Sequence, residues 1–98
     1  MIGGWLLQGR EDTSIVYRLP PGSVKTVGRA TRADFILEAP LVSRVHCRLT
    51  ADKSGQLVVE DLDSTNGVLV NGSRAARHVL KAGDILTIGR VEFSVQEG

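Results

Sequence analysis

The sequence predicts an all-β protein, an antiparallel β-sandwich, and three observations carry that expectation. Short runs rich in Val, Ile, Leu and Thr are cut by Gly, Pro and Asn at roughly 8 to 12 residue intervals, the rhythm of sandwiches and barrels. Two tight-turn signals, Lys53-Ser54-Gly55 and Asn71-Gly72, each follow or divide such runs. Only Ser73 to Gly83, "SRAARHVLKAG", looks faintly helical, and it is short and poorly amphipathic.

Each element follows in order. "WLLQG" (5–9) is an apolar run closed by Gly9, and "SIVYRL" (14–19) rises to Pro20-Pro21-Gly22, a breaker that no helix or central strand carries. "VKTVG" (24–28) is followed by the polar loop "RATRAD" (29–34) and then by "FIL" (35–37), which ends before Pro40. "HCRLTAD" (46–52) and "QLVVEDL" (56–62) flank the Lys-Ser-Gly signal as two arms of a hairpin. "GVLV" (67–70) enters Asn-Gly, which tolerates the positive φ of a two-residue turn. "ILTIG" and "VEFSV" close the chain around Gly89-Arg90. Trp5 and Phe93 read as core. No repeat, linker or low-complexity segment interrupts the pattern, so residues 1–98 read as one domain.

The bulk properties exclude several classes of function. A formal charge of +1 with 42% hydrophobic residues is ordinary for a globular chain and wrong for a disordered one. Duplex binding calls for a larger basic excess, and single-strand binding for more stacking platforms than one Trp, one Tyr and two Phe provide, so nucleic acid is not an expected partner. The charge is nevertheless unevenly spread. Lys25 to Arg48 holds five basic and two acidic residues, whereas Leu49 to Ser73 holds one basic and four acidic ones. That asymmetry suits one small anion better than a long polyanion. Cys47 is the single cysteine, so no internal disulfide forms, and with two histidines it makes no zinc spacing. A reducing, cytoplasmic setting and no metal or cofactor are expected. The opening "MIGGWLLQGRED" lacks a basic start and a long apolar run, so neither a signal peptide nor a membrane anchor is expected there.

Function in a sandwich resides in its loops, because packing consumes the strands. Three loops stand out: "GRATRAD" (28–34), "PLVSRVH" (40–46) and "DLDSTNG" (61–67). Together they hold a guanidinium, hydroxyls and an amide, the inventory for gripping a dianionic phosphate and hydrogen-bonding a peptide beside it. The Ser, two Arg and His within "APLVSRVHCRLT" (39–50) leave three readings: a catalytic Ser/His pair, an anion site, or solvated polar residues. The catalytic reading is not favoured. On an extended strand Ser43 and His46, three residues apart, face opposite sides, and no G-x-S-x-G elbow, P-loop, metal cluster or dinucleotide fingerprint occurs. No enzyme activity is expected.

The same loops resemble the forkhead-associated (FHA) domain family. The family pattern is Gly-Arg, Ser-x-x-His, Ser-x-Asn-Gly and a later Asn-Gly; here it reads Gly28-Arg29, Ser43 to His46, Ser64 to Gly67 and Asn71-Gly72. Each piece alone is weak, and all four in order, from about Val24 to Val95, are specific. The resemblance implies a sandwich of about eleven short strands with binding loops at one end, reading phosphothreonine peptides downstream of a Ser/Thr kinase. It implies that Arg29, Ser43, Arg44 and Thr65 hold the phosphate and that Asn66 fixes the peptide main chain. Gly28, His46, Ser64 and Gly67 would support the site, His46 as a buried brace. Asn71 and Gly72 read as turn formers. Arg32, Arg48 and His78 read as solvated, with Arg32 alternatively lining the peptide groove. Cys47 and Val68 depart mildly from the family's usual Ala and Thr, and both should pack. Partner choice would rest on "ATRAD" (30–34) and "EAPLV" (38–42). A phosphate-independent interaction module of the same fold is the alternative.

Overall fold

The computed structural model describes residues 3–98, and it is built from strands alone. In chain order they are β1 (Trp5–Gly9), β2 (Val16–Leu19), β3 (Ser23–Gly28), β4 (Phe35–Ile36), β5 (Cys47–Ala51), β6 (Leu57–Asp61), β7 (Val68–Val70), β8 (Ser73–Ala75), β9 (Arg77–Leu80), β10 (Ile85–Ile88) and β11 (Val91–Glu97). Alternation makes them so: in β5, Cys47, Leu49 and Ala51 are buried while Arg48 and Thr50 are half-exposed, the period-two pattern of a sheet with one wet face.

Two sheets pack face to face, one ordered β2-β1-β11-β10-β7-β8 and the other β4-β3-β5-β6-β9. Leu7, Phe93, Leu86 and Ile88 of the first sheet and Val27, Leu49, Leu57 and Val59 of the second fill the space between. Trp5 and Phe93 are both in this core, as are Cys47 and Val68. Burial pushes the Cys47 thiol up to about 12, and the nearby Asp61 carboxylate adds to that. Across one pair of sheet edges Tyr17 of β2 stacks on Phe35 of β4 with ring centroids 4.4 Å apart. That contact fixes where β4, and the loop after it, leaves the sandwich.

Two elements differ from the sequence reading. The faintly helical stretch forms β8 and β9, which pair with β7 and β6 in different sheets and cross over at Ala76. The Ala and Arg residues there are good helix formers, but the segment has no apolar stripe to bury, and waiting strand edges take its backbone groups instead. The second is β4, which runs parallel to β3 over Val27↔Phe35 and Gly28↔Ile36. Arg48, read as solvated, pairs across strands with Glu60 at 3.2 Å.

Strand direction sorts the loops. The segments 29–34, 37–46 and 62–67 leave one end of the second sheet, where Val27, Cys47 and Asp61 lie in register. The turns 20–22 and 52–56 leave the other, where Ser23, Ala51 and Leu57 align.

Candidate functional site

The three polar loops meet at one end because their backbones are laced together. Arg29 N–H donates to the Ser43 carbonyl and Ala30 N–H to the Arg44 carbonyl, both at 3.0 Å. That lacing demands close approach. A Cβ on Gly28 would collide with the Arg44 carbonyl oxygen, so a side chain there would force the two loops apart.

His46 is fully buried below them. Its Nε2 lies 2.7 Å from the Gly67 carbonyl, which only accepts, so the ring proton sits on Nε2; Nδ1 accepts the Ser43 N–H at 3.0 Å. One imidazole therefore ties the second polar loop to the third. The segment from Ser43 to His46 turns rather than running extended, because β5 begins only at Cys47. The opposite-face argument made from an extended strand therefore does not describe it. His46 offers the Ser43 hydroxyl no free ring nitrogen, since both are committed to backbone groups.

The third loop is self-braced. The Ser64 hydroxyl donates to the Asp61 carboxylate and accepts the Gly67 N–H at 2.8 Å. Gly67 itself sits at φ +77°, a backbone region L side chains rarely adopt, with the Arg74 guanidinium packed where a Cβ would project. Thr65 N–H donates to the Ser43 hydroxyl oxygen at 3.1 Å, joining the two loops a second time. Because that oxygen accepts, the Ser43 hydroxyl proton is left to be donated outward.

The side chains that remain converge on an open cleft of about 500 Å³, lined by Arg29, Arg32, Ser43, Arg44 and Thr65 among others. Arg29 is anchored by its Nε, which donates to the Val42 carbonyl at 3.1 Å, and its terminal nitrogens make no hydrogen bond among the described residues. Asn66 stands outside this cleft, on the rim: its Nδ2 donates to the Leu41 carbonyl at 3.1 Å, which leaves Oδ1 as an exposed acceptor. Leu41 is an exposed leucine at φ +69°, a strained position that no sequence signal announced. Arg32 does line the cleft, which the sequence reading held only as an alternative. Asn71 and Gly72 form the turn between β7 and β8 at the other end, with φ of 52° and 84°. There Asn71 does more than turn: its amide donates to Asp84 at 3.0 Å and accepts the Ile85 N–H at 2.8 Å.

The arrangement offers guanidinium and hydroxyl donors along an open cleft roomy enough for a tetrahedral oxyanion and part of the chain that carries it, with the Asn66 amide outside it. Among the described residues no group of three or more His, Cys, Asp or Glu is placed to hold a metal, and no helix is long and apolar enough to cross a membrane.

Known proteins share this chain's sequence and shape. The curated ABC transporter ATP-binding/permease protein Rv1747 of Mycobacterium tuberculosis is 38% identical over 80 residues, covering 82% of this chain but only 9% of its own length. The chain thus corresponds to a small part of that relative. A solved structure from a study of phosphothreonine-dependent FHA domain interactions superposes with a TM-score of 0.85 at 32% identity over 94% of both chains. Mycobacterium tuberculosis EmbR in complex with a low affinity phosphopeptide matches with a TM-score of 0.84 at 30% identity, over 94% of this chain and 24% of EmbR. The model of the FHA domain matches residues 25–89, and the chain belongs to that family.

Proposed function

We propose that this chain is a phosphothreonine-dependent peptide-binding module of Ser/Thr-kinase signalling, acting in the cytoplasm and performing no catalysis. The observation that carries the reading is the state of the donors in the cleft. Arg29 is fixed by its Nε while its terminal nitrogens are unbonded, and the Ser43 hydroxyl accepts from Thr65 and keeps its proton to give. Donors held in place and left unused lose little entropy on meeting an anion. A phosphate brings about −1.5 to −2 charges and three acceptor oxygens to meet them.

In this reading Arg29 and Ser43 donate to the phosphate, Arg44 and Thr65 complete the cradle, and Asn66 accepts or donates to the peptide main chain. Gly28, His46, Ser64 and Gly67 hold the loops at their spacing. The solved relatives with phosphothreonine-dependent interactions or a bound phosphopeptide support it by likeness of fold and sequence.

The test is an amide chemical-shift titration with a degenerate phosphothreonine peptide pool, its phosphoserine twin and the unphosphorylated pool, repeated on Arg29→Ala. Phosphothreonine-selective shifts at Arg29, Ser43, Thr65 and Asn66, lost in the variant, are expected. Equal shifts with all three pools would replace the reading by a phosphate-independent interaction module.

A further inference from the structure

Three arginines, not one, line the cleft: Arg29, Arg32 and Arg44. An exposed arginine without a partner is ordinary, but three converging on one depression repel each other in the free protein. None of the three is in an ion pair among the described residues. Among the described residues the ion pairs are Arg10 with Glu92 and Arg48 with Glu60, and neither Arg32 nor Arg44 donates a side-chain hydrogen bond. A single phosphothreonine, at about −1.5 to −2 charges, leaves roughly one guanidinium uncompensated.

The two sides of Arg29 also differ. A neighbouring depression is shared by Arg29, Glu38, Ala39 and Pro40, so the surface turns from basic to acidic across that one residue. The Glu38 carboxylate repels an anion brought to that side.

We propose that the preferred peptide carries a second anionic side chain, a carboxylate or another phosphate, beside the phosphothreonine on the flank that meets Arg32, and that an anion on the flank meeting Glu38 is disfavoured. The inference rests on the phosphothreonine reading above. Arg32 is then a selectivity residue: it lies outside the set assigned to the phosphate itself, on the exposed loop between β3 and β4. Its planar fork suits a carboxylate or phosphate equally, and ligand charge decides how much is gained.

The experiment is a binding titration by fluorescence anisotropy. A parent phosphothreonine peptide, its unphosphorylated twin, and derivatives with one Asp or one further phosphothreonine walked through three positions on each flank are measured against the wild-type chain, Arg32→Ala and Glu38→Gln. On one flank an Asp is expected to tighten binding about tenfold and a second phosphate more, the size of one charge-assisted hydrogen bond. That gain, read in each protein as the affinity of the derivative relative to the parent peptide so that any loss common to both cancels, should shrink with added salt and vanish in Arg32→Ala. On the other flank an acid should weaken binding several-fold, and Glu38→Gln should relieve it. If the parent binds phosphate-dependently but acids act alike on both flanks, or the gain survives Arg32→Ala, the inference is overturned and the phosphothreonine reading stands. If the parent binds no better than its unphosphorylated twin, the reading itself fails and the inference with it. Should Arg32→Ala not fold, the asymmetry of the wild-type walk decides alone.

Discussion

The two ends of the sandwich use similar polar residues to opposite effect. At the end bearing the turns 20–22, 52–56, 71–72 and 81–84, Asp, Asn and Ser side chains are spent within and between those turns. Asp52 accepts from the Ser54 hydroxyl at 2.7 Å and the Gln56 N–H at 2.9 Å, and Ser23 donates to the Pro20 carbonyl at 2.6 Å. Asp84 accepts from Asn71 at 3.0 Å and from the Lys81 N–H at 2.8 Å. At the other end the backbones of the loops are bonded just as fully, yet the terminal nitrogens of Arg29 and the guanidinium groups of Arg32 and Arg44 are bonded to nothing among the described residues. A polar group satisfied within its loop stabilises the fold, whereas an unsatisfied one is available to a ligand, and Arg29 is in addition anchored through its Nε.

Substitutions should separate the two ends, and the largest effect is expected at the cleft. Arg29→Ala should lower phosphopeptide affinity about a hundredfold by calorimetry, through the loss of one or two charge-assisted hydrogen bonds. Its unfolding midpoint should barely move, since the side chain is exposed; a large loss of stability would erase the contrast between the ends.

His46→Ala should fall next and hit both properties. Deleting the ring leaves the Ser43 N–H and the Gly67 carbonyl without partners around a cavity, at about 2–4 kcal/mol in urea unfolding. Affinity should drop too, because Ser43 loses its anchor.

Asn71→Ala is the counterpart at the far end. Losing the bonds to Asp84 and Ile85 N–H should cost about 1–2 kcal/mol with phosphopeptide affinity unchanged. It also has a pH signature. Burial works to raise the Asp84 carboxyl, but the hydrogen bonds from Asn71 and the Lys81 N–H outweigh it and hold the group below the usual carboxylate range. A depressed folded-state value contributes stability that is present above the unfolded carboxylate range and is lost as pH falls through the folded value. Asn71→Ala should therefore raise the Asp84 titration midpoint seen by NMR and flatten the acid limb of stability.

The smallest effect is expected on the sheet face between the two ends. Arg48→Gln breaks a half-exposed ion pair with Glu60 and should cost less than about 1 kcal/mol, shrinking further with salt, with no change in binding.

Much of this was legible because it is local. Period-two burial and turn residues placed the hairpins β5–β6 and β10–β11 and the Asn71-Gly72 turn after β7, and the Gly-Arg, Ser-x-x-His and Ser-x-Asn-Gly motifs picked out the three loops that share an end. What escaped was set by partners distant in sequence. Ser73 to Leu80 carries helix-forming residues and still forms strands, because β7 and β6 supply its hydrogen bonds. Arg48 meets Glu60 only through the β5–β6 register, and the Asn71 amide reaches Asp84 only because the turns after β7 and β9 lie at the same end. The strained Leu41 had no signal at all, since it depends on the Asn66 amide and on the tertiary path of its loop.

The sequence by itself determined the alternating strands, the turns and the chemical inventory of the loops, because alternation, positive-φ residues and side-chain donors are properties of near neighbours; β8 and β9 were settled by their partner strands. Only the tertiary structure decided which donors stay free. The Gly28 approach, the His46 brace and the Thr65 to Ser43 bond bring Arg29, Arg32, Ser43, Arg44 and Thr65 to one cleft, and spend the backbone around them while leaving their charge unspent.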